Sequence, residues 1–283
     1  MLIPPRILEE VIDRALAEDT ANGDVTTSAL VSRLIEGNAS FTAREPGILA
    51  GVEVALAVCR RVDAKLEVSA KLLDGQRLEG GETVATVSGS MASILMAERT
   101  ALNFIQRMSG IATMTAGFVD AVKGTDAAIV DTRKTTPGLR TLDKYAVTMG
   151  GGRNHRMNLA DGVLIKDNHI AALQKEGFTL EQIIKLARAK APHTVKVEVE
   201  VESIAAVRVA VNAGVDIIML DNMTIPQMRE AVRLVKGKCL VEASGGVKLE
   251  KVRQIAETGV DLISVGALTH SVMALDIGLD YEE

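Results

Sequence analysis

After Gly124 the chain repeats one rhythm: a short apolar strand, a loop, then a helix. Runs that suit strands fall at 128–130, 163–165, 195–201, 217–220, 240–242 and 262–265. Helical patterns lie between them, at 180–189, 204–212, 225–235 and 249–258. Two of these helices close at Ala213-Gly214 and at Gly259, each followed by Val-Asp and a strand. Glycine supplies the left-handed stop. Repeated βα units of this size indicate a parallel sheet. Six strands fall short of the eight that close a regular barrel. The expected fold is therefore α/β, an incomplete parallel α/β barrel of fewer than eight strands.

Ahead of Gly124 the texture differs. Residues 6–18 show helical spacing, and Asn22-Gly23-Asp24 breaks it as a turn. From Ala39 to Val87, short alternating stretches are separated by Asp74-Gly75 and Gly80-Gly81, which reads as an α+β sheet domain. A helix is expected over 93–108, interrupted at Ser109-Gly110 and resumed over 111–122. The expected division is an N-terminal domain over 1–110, with a tail over 268–283 packing on it, and a barrel domain over 111–267. Only 2% of residues are aromatic and Trp is absent, so the core must rest on aliphatic side chains, which suit parallel strands under helices.

The net charge of −5 argues against a general nucleic-acid binder. No apolar run reaches the length of a membrane span, and Met1-Leu2-Ile3-Pro4-Pro5 lacks the form of a signal peptide. Cys59 and Cys239 lack metal or redox spacing and read as reduced thiols. A cytoplasmic protein is expected.

The polar signatures fall where strands end. The first barrel strand runs into Asp131-Thr132-Arg133-Lys134-Thr135-Thr136-Pro137-Gly138, the second into Lys166-Asp167-Asn168-His169, the fourth into Asp221-Asn222 and the fifth into Ser244-Gly245-Gly246. In barrels that end carries the active site. In the third strand Val195, Val197, Val199 and Val201 alternate with Lys196, Glu198, Glu200 and Glu202. Side chains alternate faces, so one face suits a helical layer and the other aims charge into the barrel or, as an edge strand, into solvent. The charged ends of neighbouring strands favour the barrel. Between Asp131 and Ile170 there are seven Lys/Arg and four Asp, a surplus of three in a chain of net −5. His155 and His169 join them, and the residues ride on tight loops with Pro137-Gly138 and Gly150-Gly151-Gly152. A pocket for a multiply anionic ligand follows. Ser244-Gly245-Gly246 and the Val265-Gly266-Ala267 turn after the last strand resemble phosphate cradles beside helix N-termini. Glu200 and Asp221 end adjacent strands and offer hard oxygen ligands suited to Mg²⁺ held mainly through substrate phosphates.

The segment from Asp131 to Arg140 resembles a signature of the quinolinate phosphoribosyltransferase family. So do Lys144-Tyr145-Ala146-Val147, the run Gly150-Gly151-Gly152-Arg153-Asn154-His155-Arg156, and Leu164-Ile165-Lys166-Asp167-Asn168-His169. Glu98-Arg99-Thr100-Ala101-Leu102-Asn103, Ser109-Gly110-Ile111-Ala112-Thr113, Glu198-Val199-Glu200, Leu220-Asp221-Asn222 and Ala243-Ser244-Gly245-Gly246 complete the set in order. The resemblance implies conversion of quinolinate and phosphoribosyl pyrophosphate into nicotinate mononucleotide, pyrophosphate and carbon dioxide, a Mg²⁺-requiring step of NAD biosynthesis. It implies an N-terminal α/β domain and a barrel of fewer than eight strands, in a homodimer or a larger assembly of dimers.

By the same resemblance Arg133, His155, Arg156 and Lys166 bind the quinolinate carboxylates, with Arg99 donated by the partner subunit. Lys134 contacts quinolinate or phosphoribosyl pyrophosphate, and Lys134, Lys166, Glu200 and Asp221 form the catalytic set. Glu200 and Asp221 hold ribose hydroxyls and metal. Ser244, Gly245, Gly246, Val265, Gly266 and Ala267 form the 5-phosphate cradle. Asp167 and His169 read as partners that orient Lys166 or as ligands, His270 as a capping or surface residue, and Asn103 and Gln106 as holding their helix. Two other readings stand beside this one: a molybdenum-associated paralogue of the same fold, and a non-catalytic sensor of phosphoribosyl ligands.

Overall fold

The computed structural model describes residues 3–32 and 34–282; Met1 and Leu2 of the N-terminal segment, and Glu283 of the 268–283 tail, lie outside it. The strands are β1 (Glu36–Ala43), β2 (Gly47–Ile48), β3 (Glu67–Ala70), β4 (Arg77–Leu78), β5 (Thr83–Ser90), β6 (Ala128–Val130), β7 (Val163–Ile165), β8 (Val197–Val201), β9 (Ile217–Asp221), β10 (Leu240–Ser244), β11 (Leu262–Ser264) and β12 (Ile277–Glu282). Contacts divide the chain into two units. The first comprises Met1–Ala116, Thr135–Gly151 and Ala267–Glu283; the second comprises Gly117–Lys134 and Gly152–Gly266.

In the first unit an antiparallel sheet has the order β12-β1-β5-β3, so the C-terminal strand completes the N-terminal sheet. Ala39, Phe41 and Ala43 alternate into its core at 1% exposure or less. The helix Val52–Val62 packs on β3 and β5 and buries Val52, Ala55, Leu56 and Cys59. Burial also pushes the Cys59 thiol up to about 11. The helix Met91–Ala121 runs unbroken through Ser109-Gly110, where an interruption was expected. The reason is tertiary. Ser109 Oγ donates to Ala50 O and accepts from Ala50 N, while a Cβ on Gly110 would meet Met273 O at 2.1 Å. Serine and glycine here serve close approach rather than a helix stop.

The second unit holds a six-stranded parallel sheet of order β6-β11-β10-β9-β8-β7, in which β6 and β7 are the edge strands. The ladder is not closed into a ring. Its register places Val197, Val199, Val201, Ile218, Leu220, Val241, Ala243, Ile263 and Val265 on one face, and each is at most 3% exposed. The helices Leu180–Lys190, Ile204–Asn212, Ile225–Val235 and Leu249–Ala256 pack on this sheet. Glu198, Glu200, Asp221, Glu242, Ser244 and Ser264 share the opposite face. Glu198 is 3% exposed, so the charged side of β8 is interior and not a wet edge.

The two Gly-Val-Asp turns have matching roles. Gly214 and Gly259 adopt φ of 75° and 89° and end their helices. Asp216 Oδ2 then accepts from Val197 N at 2.8 Å, and Asp261 Oδ2 accepts from Val241 N at 2.7 Å. Each carboxylate therefore fastens a neighbouring strand at the end opposite the polar loops. Among the described residues no helix is long and apolar enough to cross a membrane.

Gly110→Ala tests the close approach. Alanine favours a helix interior by about 1 kcal/mol over glycine, yet the clash with backbone at Met273 should outweigh this. A net loss of about 2 kcal/mol is expected in chemical denaturation.

Candidate active site

The carboxyl ends of β6 to β11 build the site from the second unit's own loops. Asp131, immediately after β6, is fully buried. Its two oxygens accept from His155 N at 2.8 Å and from Asn154 Nδ2 at 2.7 Å. Arg153 bridges Val130 in parallel register, with its N donating to Ile129 O. The 153–156 segment is thus laid along the outer edge of β6, and Asp131 sets where His155 and Arg156 stand.

His155 Nε2 lies 3.1 Å from Glu198 Oε2 and 3.5 Å from Glu242 Oε2, and those two glutamates are 3% and 0% exposed. Its Nδ1 accepts from Arg156 N at 2.7 Å. Burial lowers the ring's proton affinity, while hydrogen bonds and charge from the two glutamates raise it. That affinity would suit an imidazolium, yet Nδ1 faces an amide hydrogen and has no room for a second proton. The hydrogen-bond geometry decides the matter: the ring proton sits on Nε2, between the carboxylates. Burial raises Glu198, against the pull of His155 and Arg156. The three donor atoms lie within 4.8 Å of one another, as in a metal centre. The Nε2 proton already fills that centre, and Arg156 places a cation beside both carboxylates.

Arg156 is half-buried. Desolvation lowers its affinity for its proton, and the charges of Glu198, Asp161 and Glu242 offset this only in part. Its Nη1 donates to Gly162 O at 3.0 Å, and its buried Nε meets no acceptor among the described residues. Arg133 stands close enough to Arg156 for the two cations to repel. Lys134, its neighbour in sequence, is exposed.

Lys166 is exposed, with Nζ 3.8 Å from Glu200 Oε2. It precedes the helix Asp167–Lys175, and His169 Nδ1 accepts from Lys166 N at 2.9 Å. His169 therefore caps the turn that carries Lys166. Burial raises Glu200, Lys166 opposes this, and the charge of Asp221 adds to it. Asp221 pairs in register with Ser244, and Asn222 N donates to Ser244 O at 3.1 Å. Gly245 adopts φ +93°, and a Cβ there would meet Asn222 Oδ1 at 2.2 Å, so only glycine fits this turn. Val265 is buried and its N donates to Val130 O at 2.9 Å.

Arg133, Lys134, His155, Arg156, Lys166, Glu200, Asp221, Ser244, Gly245, Gly246, Val265 and Gly266 all belong to the second unit, whereas Arg99 and Ala267 belong to the first. Within the first unit, exposed Arg99 lines a cavity of about 370 Å³ with Arg14, Glu18, Asn103, Arg107 and Pro137. Arg107 grips Asp143 through two bonds of 3.0 Å, and Asp143 accepts from Thr136 N at 3.1 Å. Gln106 Nε2 donates to Ile277 O at 2.6 Å, which ties the helix to β12. His270 is exposed, with Nδ1 2.6 Å from Ser271 Oγ.

The sequence reading missed Glu242, the grip of Asp131 and the Arg107–Asp143 pair. The signal for Glu242 is a lone acid inside the apolar strand β10.

Two family models cover the chain: the N-terminal domain of quinolinate phosphoribosyl transferase matches residues 24–109, and the C-terminal domain of the same family matches 111–280. The nicotinate-nucleotide pyrophosphorylase [carboxylating] of Mycobacterium leprae is 46% identical over 277 residues, covering 96% of each chain. A mitochondrial quinolinate phosphoribosyltransferase [decarboxylating] of Nicotiana tabacum is 44% identical over 292 residues, covering 98% of this chain and 82% of its own. The crystal structure of NadC from Streptococcus pyogenes is similar along 100% of both chains, with TM-score 0.94 and 42% identity.

Asp131→Ala would leave the His155 amide and the Asn154 amide group without their acceptor. A loss of roughly 2 kcal/mol is expected in denaturation, from about 0.5–1.5 kcal/mol per hydrogen bond removed.

Proposed function

The chain belongs to the quinolinate phosphoribosyltransferase family, and from that membership we propose how its residues divide the work of a decarboxylating phosphoribosyl transfer. The reaction joins quinolinate to phosphoribosyl pyrophosphate and yields nicotinate mononucleotide, pyrophosphate and carbon dioxide, a step of NAD biosynthesis. One observation carries the assignment of roles: Arg156, whose buried Nε has no acceptor among the described residues, stands beside Arg133 at strand ends that also hold Glu200 and Asp221.

Arg133, Arg156 and Lys166 receive the two carboxylates of quinolinate. Planar guanidinium forks suit carboxylates, and the ligand's two negative charges relieve the repulsion between the arginines. His155 belongs to the same pocket. Lys134 stands at the loop where it can meet quinolinate or the phosphoribosyl donor. Glu200 and Asp221 lie under the ribose, where their charge steadies the oxocarbenium-like sugar as pyrophosphate leaves. The turns at Ser244-Gly245-Gly246 and Val265-Gly266-Ala267 cradle the 5-phosphate. Ribosylation puts positive charge on the ring nitrogen. That charge can hold the electron pair released when the 2-carboxylate departs, so transfer precedes decarboxylation.

Glu200 and Asp221 raise each other's negative potential and offer only hard oxygen donors, which fits Mg²⁺ held largely through substrate phosphates. When bound there, Mg²⁺ neutralises charge on the leaving pyrophosphate. The free thiols Cys59 and Cys239 fit a reducing, cytoplasmic compartment. The proposal includes a homodimer, on its own or within a larger assembly, in which Arg99 of each subunit serves the other's site.

The defining assay supplies quinolinate or nicotinate with phosphoribosyl pyrophosphate and measures pyrophosphate release. Quinolinate should turn over, with carbon dioxide produced. Nicotinate should be poor by about a hundredfold in kcat/KM, because it leaves a pocket cation without its carboxylate partner. Equal turnover of both acids would contradict the carboxylate roles.

The shared site is checked by subunit mixing. Arg99→Ala and Lys166→Ala proteins, each inactive alone, should regain activity when their chains exchange, since a mixed dimer holds one site with both residues intact. Verified exchange with no recovery would show that Arg99 does not serve the partner.

A further inference from the structure

His155 has neither ring nitrogen left over. Nδ1 is committed to the Arg156 amide and Nε2 to the glutamates. Its backbone N is committed to Asp131. The ring is therefore a connector: it runs from the floor of the sheet to the segment that bears Arg156.

The far end of the connector is built from two strands. Glu198 lies on β8 and Glu242 on β10, with β9 between them; Glu242 pairs in register with Met219 and Glu198 with Ile217. Glu242 is fully buried, and neither of its oxygens makes a well-formed hydrogen bond among the described residues. A buried carboxylate in that condition costs several kcal/mol unless something compensates it. What offsets it is the His155 Nε2–H group, whose nitrogen lies 3.5 Å away, and the charge of the Arg156 guanidinium. Neither glutamate has a place in the transfer chemistry described above. We propose that Glu198 and Glu242 are positioning residues for dicarboxylate recognition, which clamp the His155 ring and through it set the stance of Arg156. The proposal rests on the substrate-binding role given to Arg156 above.

Simple electrostatics makes the opposite forecast, which sharpens the test. Two carboxylates beside a pocket for a dianion repel that ligand. If Glu242 only did this, replacing it by the neutral isostere would tighten quinolinate binding. A clamp predicts loss, since a misplaced guanidinium fork cannot take a carboxylate in bidentate fashion.

The experiment compares wild type and Glu242→Gln in quinolinate binding by calorimetry without the phosphoribosyl donor, and in the KM of each substrate. The expected result is quinolinate binding weakened roughly tenfold or more, a matching rise in its KM, and a KM for phosphoribosyl pyrophosphate within about twofold. Nitrogen-15 spectra of the imidazole should show a single tautomer with Nδ1 as acceptor in wild type, and loss of that single state in the variant. Unchanged or tighter quinolinate binding overturns the clamp, as does an equal rise in both KM values. A wild type that neither binds nor turns over quinolinate sinks the underlying reading and the proposal with it. Should Glu242→Gln fail to fold, Glu198→Gln carries the same comparison with the same outcomes.

Discussion

Strands in a parallel sheet are covered on both faces, so a charge placed on one cannot rely on water. That constraint governs the second unit. Its helix-facing side meets the constraint with Val, Ile, Leu and Ala alone. The other side carries Glu198 and Glu242 at burial levels where an unpaired carboxylate would be untenable. They persist because His155 and Arg156 arrive from the 153–156 segment. The interior acids and the loop are therefore mutually dependent: the loop makes the acids tolerable, and the acids fix the loop.

Carboxylates at the two ends of the sheet have opposite fates. At the amino ends, Asp216 and Asp261 give their oxygens to backbone N–H groups of β8 and β10. That charge is used up in holding strands. At the carboxyl ends, Glu200 faces Lys166 at 3.8 Å against the repulsion of Asp221, Asp167 and Glu202. The contrast reflects a division between residues that stabilise the sheet and residues left under electrostatic tension for a ligand to relieve.

The parts of this arrangement visible in the sequence are those encoded by local period. The Gly-Val-Asp turns, the Val/Glu alternation of β8 and the glycines at 245 and 246 each carry their meaning within a few residues. The parts that were not visible depend on pairing across long separations. Ser109-Gly110 looks like a break in a helix until Ala50 and Met273 are placed against it. Glu242 sits alone in an apolar strand, with no period to announce it. Arg107 and Asp143 are 36 positions apart and meet only through the fold. His155 is the most instructive residue. Its neighbours in sequence mark it as part of a basic pocket, yet its ring is engaged entirely within the protein.

This inward engagement suits a pocket that must serve two charge states. Without ligand, Arg133 and Arg156 stand close together with desolvation acting against Arg156. Cations in that position repel one another and attract any stray anion. Glu198 and Glu242 supply the opposing charge from below, through a neutral ring and not by direct pairing. Direct pairs would have blocked the guanidinium faces that a substrate needs, and two protein carboxylates would then have had to leave before two ligand carboxylates could bind. A counter-charge held one residue away avoids that exchange. It lowers the cost of keeping the pocket empty and leaves the donors pointing at the ligand. The buried acids and the imidazole thereby let a strongly cationic site exist in a protein whose overall charge is −5.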